Sequence, residues 1–358
     1  GKEKQEAAPV PGGSTPSLPW TVRVGSVVLD DNRAEYGLLN HRPAAGFDPS
    51  FIVLSTLDLA VDSIYNRGAD IALQIRRMAF TERSGLTVSD MTGDIGMDAS
   101  GISLAGVTLK TPFSRIEANI SAGEGILALA PDSPLKADLM ADVNTKDLKY
   151  LYPALIPPVL DGRIVSLALT AAGTLGDIGK AGLDISSPGH VAFTADGAAR
   201  NVLDPGRMEA SARFEGDFRD MAFLEALLPD SALRRRIAIP DRIRLRGTAG
   251  ADKGAFSAAS TLSTDGGEIA LQGRLDTRSE AYGIELRCDS FPLNSFLPAD
   301  SLGLLDLALQ AGGSGFDPLR AQTRGNIRLQ VDRAEFRGRD FGGVKLNANL
   351  EGGQLSGR

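Results

Sequence analysis

One cysteine and two histidines in 358 residues leave little material for catalysis or metal binding. With Cys288 alone, an internal disulfide and every CxxC metal site are excluded. His41 lies in a His-Arg-Pro stretch that reads as loop and His190 stands at a strand start, so a solvated or hairpin role fits both. One tryptophan and five tyrosines are too few for a sugar-stacking platform. The net charge of −7 speaks against nucleic acid as a partner, since phosphate binding needs a basic stripe. No uncharged apolar run approaches the ~18 residues of a membrane span. Gly1–Pro19 is rich in Pro, Gly and Glu and reads as a flexible lead-in rather than a secretory leader.

Motifs with chemistry are equally scarce. Gly173 to Lys180 resembles a phosphate loop, but its spacing is wrong and no Ser or Thr follows the lysine, so it reads as a hairpin turn. Gly312-Gly-Ser-Gly-Phe316 is not a nucleophile elbow, because it ends a strand and opens no helix. Carboxylates fall on wet faces and in turns, where solvation explains them. The one basic cluster, Arg234-Arg235-Arg236, reads as a solvated loop end that could touch anionic head groups. No cofactor is expected, and an enzyme is the least favoured reading.

What the chain has is a period of two. In Asp241–Asp289, Ile243 and Leu245 alternate with Arg242, Arg244 and Arg246. Ile269, Leu271 and Leu275 alternate with Glu268, Gln272 and Arg274, and Tyr282, Ile284, Leu286 and Cys288 alternate with Glu285 and Arg287. Such runs are strands with one apolar and one wet face. The breaks, Asp252-Lys253-Gly254 and Thr264-Asp265-Gly266-Gly267 among them, are hairpin turns. Earlier in the chain, Trp20–Leu29 reads as a first strand and Asp30–Pro49 as a polar stretch in which His41-Arg42-Pro43 is loop. The run from Phe51 to Tyr65 changes period, and strand patterns resume at Ala69–Phe80, Gly93–Asp98, Gly101–Lys110 and Arg115–Ser121.

A degenerate repeat follows a joint at Pro131–Pro134. Three short helix-like segments, predicted near Lys146–Tyr152, Asp220–Leu228 and Pro292–Leu297, each close on a proline and lead into a strand. Their prolines stand about 76 and 69 residues apart, with roughly four strands between them. This divides the chain into a lead-in at 1–19, N-terminal β repeats at 20–131 and repeats with proline-terminated helices at 132–358. The pattern is in mid-repeat at Arg358, so the sequence reads as a piece of a longer chain.

An apolar sheet face must be buried on something. Two-turn helices cannot roof ~15 strands, which leaves a closed β-sandwich, or one long antiparallel meander curled into an open groove ~70 Å long. The fold class is all-β in either case.

The recurring unit of strand, short proline-closed helix and strand is similar to the TamB/AsmA family. The stretch from Phe51 to Ile116, with Ser84-Gly-Leu-Thr-Val and Leu109-Lys-Thr-Pro-Phe-Ser, resembles its repeats too. That resemblance implies the open U-shaped groove (a β-taco) of a periplasmic, inner-membrane-anchored protein. It further implies phospholipid as the ligand, carried toward the outer membrane. The implied partners are the inner membrane, through an anchor outside this sequence, and an outer-membrane barrel of a translocation and assembly module, through a C-terminal domain also outside it. The groove-lining residues expected on this reading are Val165, Leu167, Leu169, Leu183, Ile185, Val191, Phe193, Phe214, Ile243, Leu245 and Phe256. They continue through Ile269, Leu271, Leu275, Ile284, Leu286, Leu305, Leu307, Leu309, Ile327, Leu329 and Val331. The other reading is a scaffold or chaperone-like module that assists outer-membrane protein assembly, with the same residues as plain core or with a sheet edge that captures strands.

Overall fold

The computed structural model describes residues 20–39, 41–98, 101–123, 130–153, 156–228, 233, 236–317 and 320–358. These form one antiparallel sheet of 20 strands. The first seven are β1 (Thr21–Gly37), β2 (Phe51–Arg67), β3 (Asp70–Glu82), β4 (Thr87–Asp98), β5 (Gly101–Lys110), β6 (Arg115–Gly123) and β7 (Pro134–Asn144). After the helix α1 (Thr145–Leu151) come β8 (Ile164–Thr174), β9 (Asp177–Ser187), β10 (Val191–Arg200), β11 (Glu209–Arg219), β12 (Arg242–Asp252) and β13 (Ala255–Thr264). The rest are β14 (Gly267–Asp276), β15 (Ala281–Pro292), β16 (Leu302–Ser314), β17 (Arg324–Phe336), β18 (Arg339–Phe341), β19 (Val344–Glu351) and β20 (Gln354–Gly357). Each strand pairs with its neighbours in sequence, except that β17 takes the short β18 and the longer β19 along the same edge. The sheet is open and curled, and it does not close into a barrel.

Where the sequence alternates cleanly, strand boundaries follow the pattern. Elsewhere the structure corrects it. Asp30 to Gly37, read as a polar stretch beyond the first strand, continues β1, because a bulge at Asp31 (φ 50°) lets the strand bend without ending. Asp31 donates its amide to the Asp58 carboxylate on β2 at 3.1 Å, which fixes the bulge. The period change between Phe51 and Tyr65 has the same origin: Thr56 and Ser63 both have positive φ, and the β2–β3 register slips beside them. Bulged strands hide their period, so the sequence reading undercounts them. Twenty strands make a groove on the order of 90 Å long, rather than ~70 Å.

All three expected helical segments occur, between β7 and β8, β11 and β12, and β15 and β16, with a spacing of four strands. The first is α1, capped by the Asn144 side chain on the Lys146 amide at 3.0 Å. The second, Met221–Leu227, and the third, Leu293–Ser295 with Pro298–Asp300, are 3-10 turns. Pro298 therefore opens a turn rather than closing one. Because strands alternate in direction, all three insertions lie along one long rim of the sheet. They share it with the 38–50 loop and the short 83–86 and 111–114 connections.

Among the described residues no second sheet covers the first: all strands belong to the one sheet, and the strands in close backbone contact are ladder neighbours. The accessible surface is 22811 Å², against roughly 14,000 Å² for a compact monomer of this mass. No large side chain among the described residues is fully buried. The small core there is concentrates in β2–β7: Leu57, Val61, Ile75, Val88, Ala118, Ala122 and Ala141, with only Cys288 and Phe291 elsewhere. Bulges concentrate there too. Every ladder from β1–β2 to β5–β6 carries a register shift, whereas those from β10–β11 to β14–β15 carry none. Each bulge adds twist and bend to its strand, and the N-terminal third carries far more of them than the regular middle.

Candidate functional site

Directly opposed residues in an antiparallel ladder point to the same face. Followed strand by strand, the register joins Leu29, Leu59, Met78, Met91, Leu109 and Ile116 in β1–β6. The row continues through Ala141, Leu167, Ile185, Phe193, Gly216 and Leu245 in β7–β12. It ends through Leu262, Ile269, Cys288, Leu307, Val331 and Val344 in β13–β17 and β19. Apart from the short β18 and β20, every strand contributes an uncharged apolar position or a glycine.

The sequence-derived lining residues all fall on this face. Leu167, Ile185, Phe193, Leu245, Ile269, Leu307 and Val331 belong to the row above. Leu169, Leu183, Phe214, Leu271, Leu286, Leu309 and Leu329 make a second row, with Ala195, Gly247 and Ser260 between them. Ile284 and Ile327 lie in a third row that is otherwise mostly alanine and glycine, including Ala171, Ala181, Gly197, Ala212, Ala249, Ala258 and Gly273. Phe256 and Leu275 lie one row further out, and Val165, Val191, Ile243 and Leu305 approach the helical rim. None of these is buried. Leu271 is 42% exposed, Ile284 44% and Ile327 43%.

Aromatic rings compensate for missing side chains on this face. A Cβ on Gly216 would meet the Phe218 ring at 2.6 Å and the Phe193 ring at 3.2 Å, and one on Gly247 would meet Phe214 at 2.5 Å. Each ring thus lies over its neighbour's glycine and excludes water from that backbone. A shallow depression of about 570 Å³ crosses β10–β14, and the residues lining it are mostly polar: the outward Thr194, Asp196, Arg213, Glu215, Arg246, Thr248 and Gln272 flank Ala195, Phe214, Gly247, Ser260 and Leu271. The N-terminal part of the main row, from Leu29 to Ile116, is missing from the sequence-derived set because bulges break its alternation. The turn-less positive-φ residues Thr56 and Ser63 leave no compositional mark.

The opposite face is charged and paired with itself. Asp217 accepts from Arg219 at 2.9 Å and from Arg242 at 2.7 Å, and these bonds hold its carboxyl well below the usual carboxylate range. Lys253 and Glu209 pair at 2.8 Å, and Arg333 and Asp340 at 3.0 Å. Other groups noted in the sequence serve the fold. His41 meets Asp48 at 2.7 Å, and His190 packs edge-on against Phe223. Gly173–Lys180 spans the β8–β9 hairpin, and Cys288 is buried, with its thiol pushed up by burial and by Asp306. Arg234 and Arg235 lie outside the described residues, while Arg236 pairs with Asp300 at 3.1 Å and ties two rim insertions together. Among the described residues, no group of three His, Cys, Asp or Glu side chains is placed to hold a metal. No helix there is long and apolar enough to cross a membrane.

No family model, curated protein or solved structure matches the chain.

Proposed function

We propose that the uncovered apolar face holds and conducts the acyl chains of phospholipid. On this reading the chain is one span of a periplasmic groove between inner and outer membranes, in line with the TamB/AsmA resemblance of its repeats. The observation that carries the proposal is the apolar row that runs the length of the sheet with no second layer over it. A soluble chain does not leave such a face bare without an occupant. Acyl chains suit it, because they need contact area and no directed hydrogen bonds. Each methylene fully buried contributes ~0.8 kcal/mol, so a chain of about fifteen methylenes, half-covered in an open groove, gains on the order of 6 kcal/mol.

Leu271 and Gln272 are adjacent, both exposed, and on opposite faces of β14. A photo-crosslinking side chain at Leu271 should capture phospholipid in cells, and one at Gln272 should not. Equal capture at both positions, or none at Leu271, would refute the proposal.

A further inference from the structure

The rim corner built by the 38–50 loop, the 83–86 and 111–114 connections and α1 has a charge distribution unlike the rest of the molecule. Its segments interlock. Phe47 donates its amide to the Leu151 carbonyl at 3.2 Å, and Arg83 donates to the carbonyls of Ala44 and Gly46 at 2.9 and 3.0 Å. The Tyr150 ring lies against Gly85, and the Lys146 ammonium stands 5.0 Å from the centre of the Phe113 ring.

Three carboxylates in or beside these segments, Asp48, Glu82 and Asp147, are turned inward. Asp48 is 5% exposed, Glu82 3% and Asp147 5%. Asp48 is occupied by the Ala44 and Ser50 amides and His41, Glu82 by the Ser84 amide, and Asp147 by the Thr111 and Ser114 hydroxyls. The cations Arg42, Arg83, Lys146 and Lys149 all stay outside, and Asp161 stands 3.6 Å from Lys149. In a chain of net charge −7, the outward-facing charges of these segments are thus positive.

The same corner exposes large apolar side chains. Leu39 is 95% exposed, Leu38 54%, Tyr152 53%, Phe113 46% and Tyr150 41%. Tyrosine, phenylalanine and leucine set among lysine and arginine suit the water–lipid boundary, where the rings sit at head-group level and the cations meet anionic phosphate.

We infer that this corner docks on the surface of an anionic bilayer. Those three carboxylates, which would repel such a surface, are sequestered, and the groups that would enter it are presented together. A protein partner would need a complementary acidic and apolar surface, whereas a bilayer supplies both in one layer. The inference does not depend on lipid occupying the groove, because it concerns how the rim meets a membrane.

The test is co-sedimentation of the whole chain with phosphatidylcholine vesicles, with and without roughly a third of phosphatidylglycerol. The chain should bind the anionic vesicles, release them as salt rises, and bind the neutral ones weakly. Lys146→Glu with Lys149→Glu should lower the partition coefficient by roughly tenfold or more, and Leu39→Ser should lower it without shifting the melting temperature. Lys136→Glu with Lys180→Glu makes the same charge change at the other rim and should leave binding near the parent's. No preference for anionic vesicles, or equal losses from both charge pairs, would overturn the inference. Lipid capture at Leu271, measured separately, reports on the groove and is unaffected by either outcome.

Discussion

Leu271→Arg and Val61→Arg place the same cation on one continuous sheet, in its regular middle and its bulged N-terminal third. Leu271 is 42% exposed, so it gains only somewhat more than half of a leucine's full burial energy. Full burial is worth ~2 kcal/mol, which puts the apolar loss near ~1 kcal/mol. The arginine stem recovers part of this by lying along the face while the guanidinium reaches water. The expected cost is therefore at most about 1 kcal/mol, a fall in melting temperature of roughly 1–2 °C. Val61 is 7% exposed, and a cation there has no route to solvent. Burying it costs several kcal/mol, enough to abolish a folded N-terminal third. Thermal melts followed by circular dichroism read the first quantity, and native mass spectrometry of the purified chain reads copurified phospholipid. Leu271→Arg should fold and carry less lipid, while Val61→Arg should not fold. If Leu271→Arg melted as badly as Val61→Arg, something would already cover the central face. If it folded and carried lipid like the parent, the groove reading would be wrong.

Two further outcomes follow from the rim. Asp147→Ala removes the acceptor for the Thr111 and Ser114 hydroxyls, both at 2.5 Å, and strands them in a buried site; urea unfolding should show a loss of roughly 2–4 kcal/mol, and a loss below about 0.5 would contradict the assigned geometry. The Ala44 amide and the His41 ring, together with the Ser50 amide, hold the Asp48 carboxyl down to about 2. That is below the ~3.9 of an unfolded chain, so its contribution is complete above ~4 and is lost as pH falls through about 2. The protection factors of the amides across 44–50, corrected for the intrinsic pH dependence of exchange, should fall over that range in the parent, and Asp48→Asn should flatten the dependence.

Periodicity carried most of the fold into view. Between Pro134 and Val344 the inward positions alternate without interruption over long stretches, and the register puts every sequence-derived lining residue on one face. The choice between a closed sandwich and an open sheet was not legible, because both give the same alternation. It rests on what lies across from the face, a long-range fact that pattern does not carry. β1 to β5 were hard to read for a local reason: a bulge shifts the inward set by one residue, those at Thr56 and Ser63 sit inside apolar runs, and the one at Asp31 falls in an Asp-Asp-Asn run that looks like the end of a strand. The sequestered carboxylates were equally hidden. Asp48, Glu82 and Asp147 look like ordinary surface acids until loops distant in sequence close over them.

The uneven distribution of bulges explains how a single layer can be stable while leaving most of its apolar surface bare. In β1–β6 register shifts recur in every ladder, and nearly all the buried apolar residues lie there or in β7. That third of the chain supplies its own core. From β10 to β15 the ladder is regular, and Leu271, Leu275 and Ile284 stay open to solvent. Backbone hydrogen bonds, rings laid over glycines, and rim ties such as Arg236–Asp300 and the Ala238 amide on the Phe296 carbonyl hold this part together. These interactions run along the sheet and its rim and leave the face itself unoccupied. Replacing any one inward apolar residue by a polar one in β10–β15 would cost such a sheet little, because most are only partly buried. The recurrence of apolar residues and glycine on this face of every strand is what the proposed acyl-chain occupant would require.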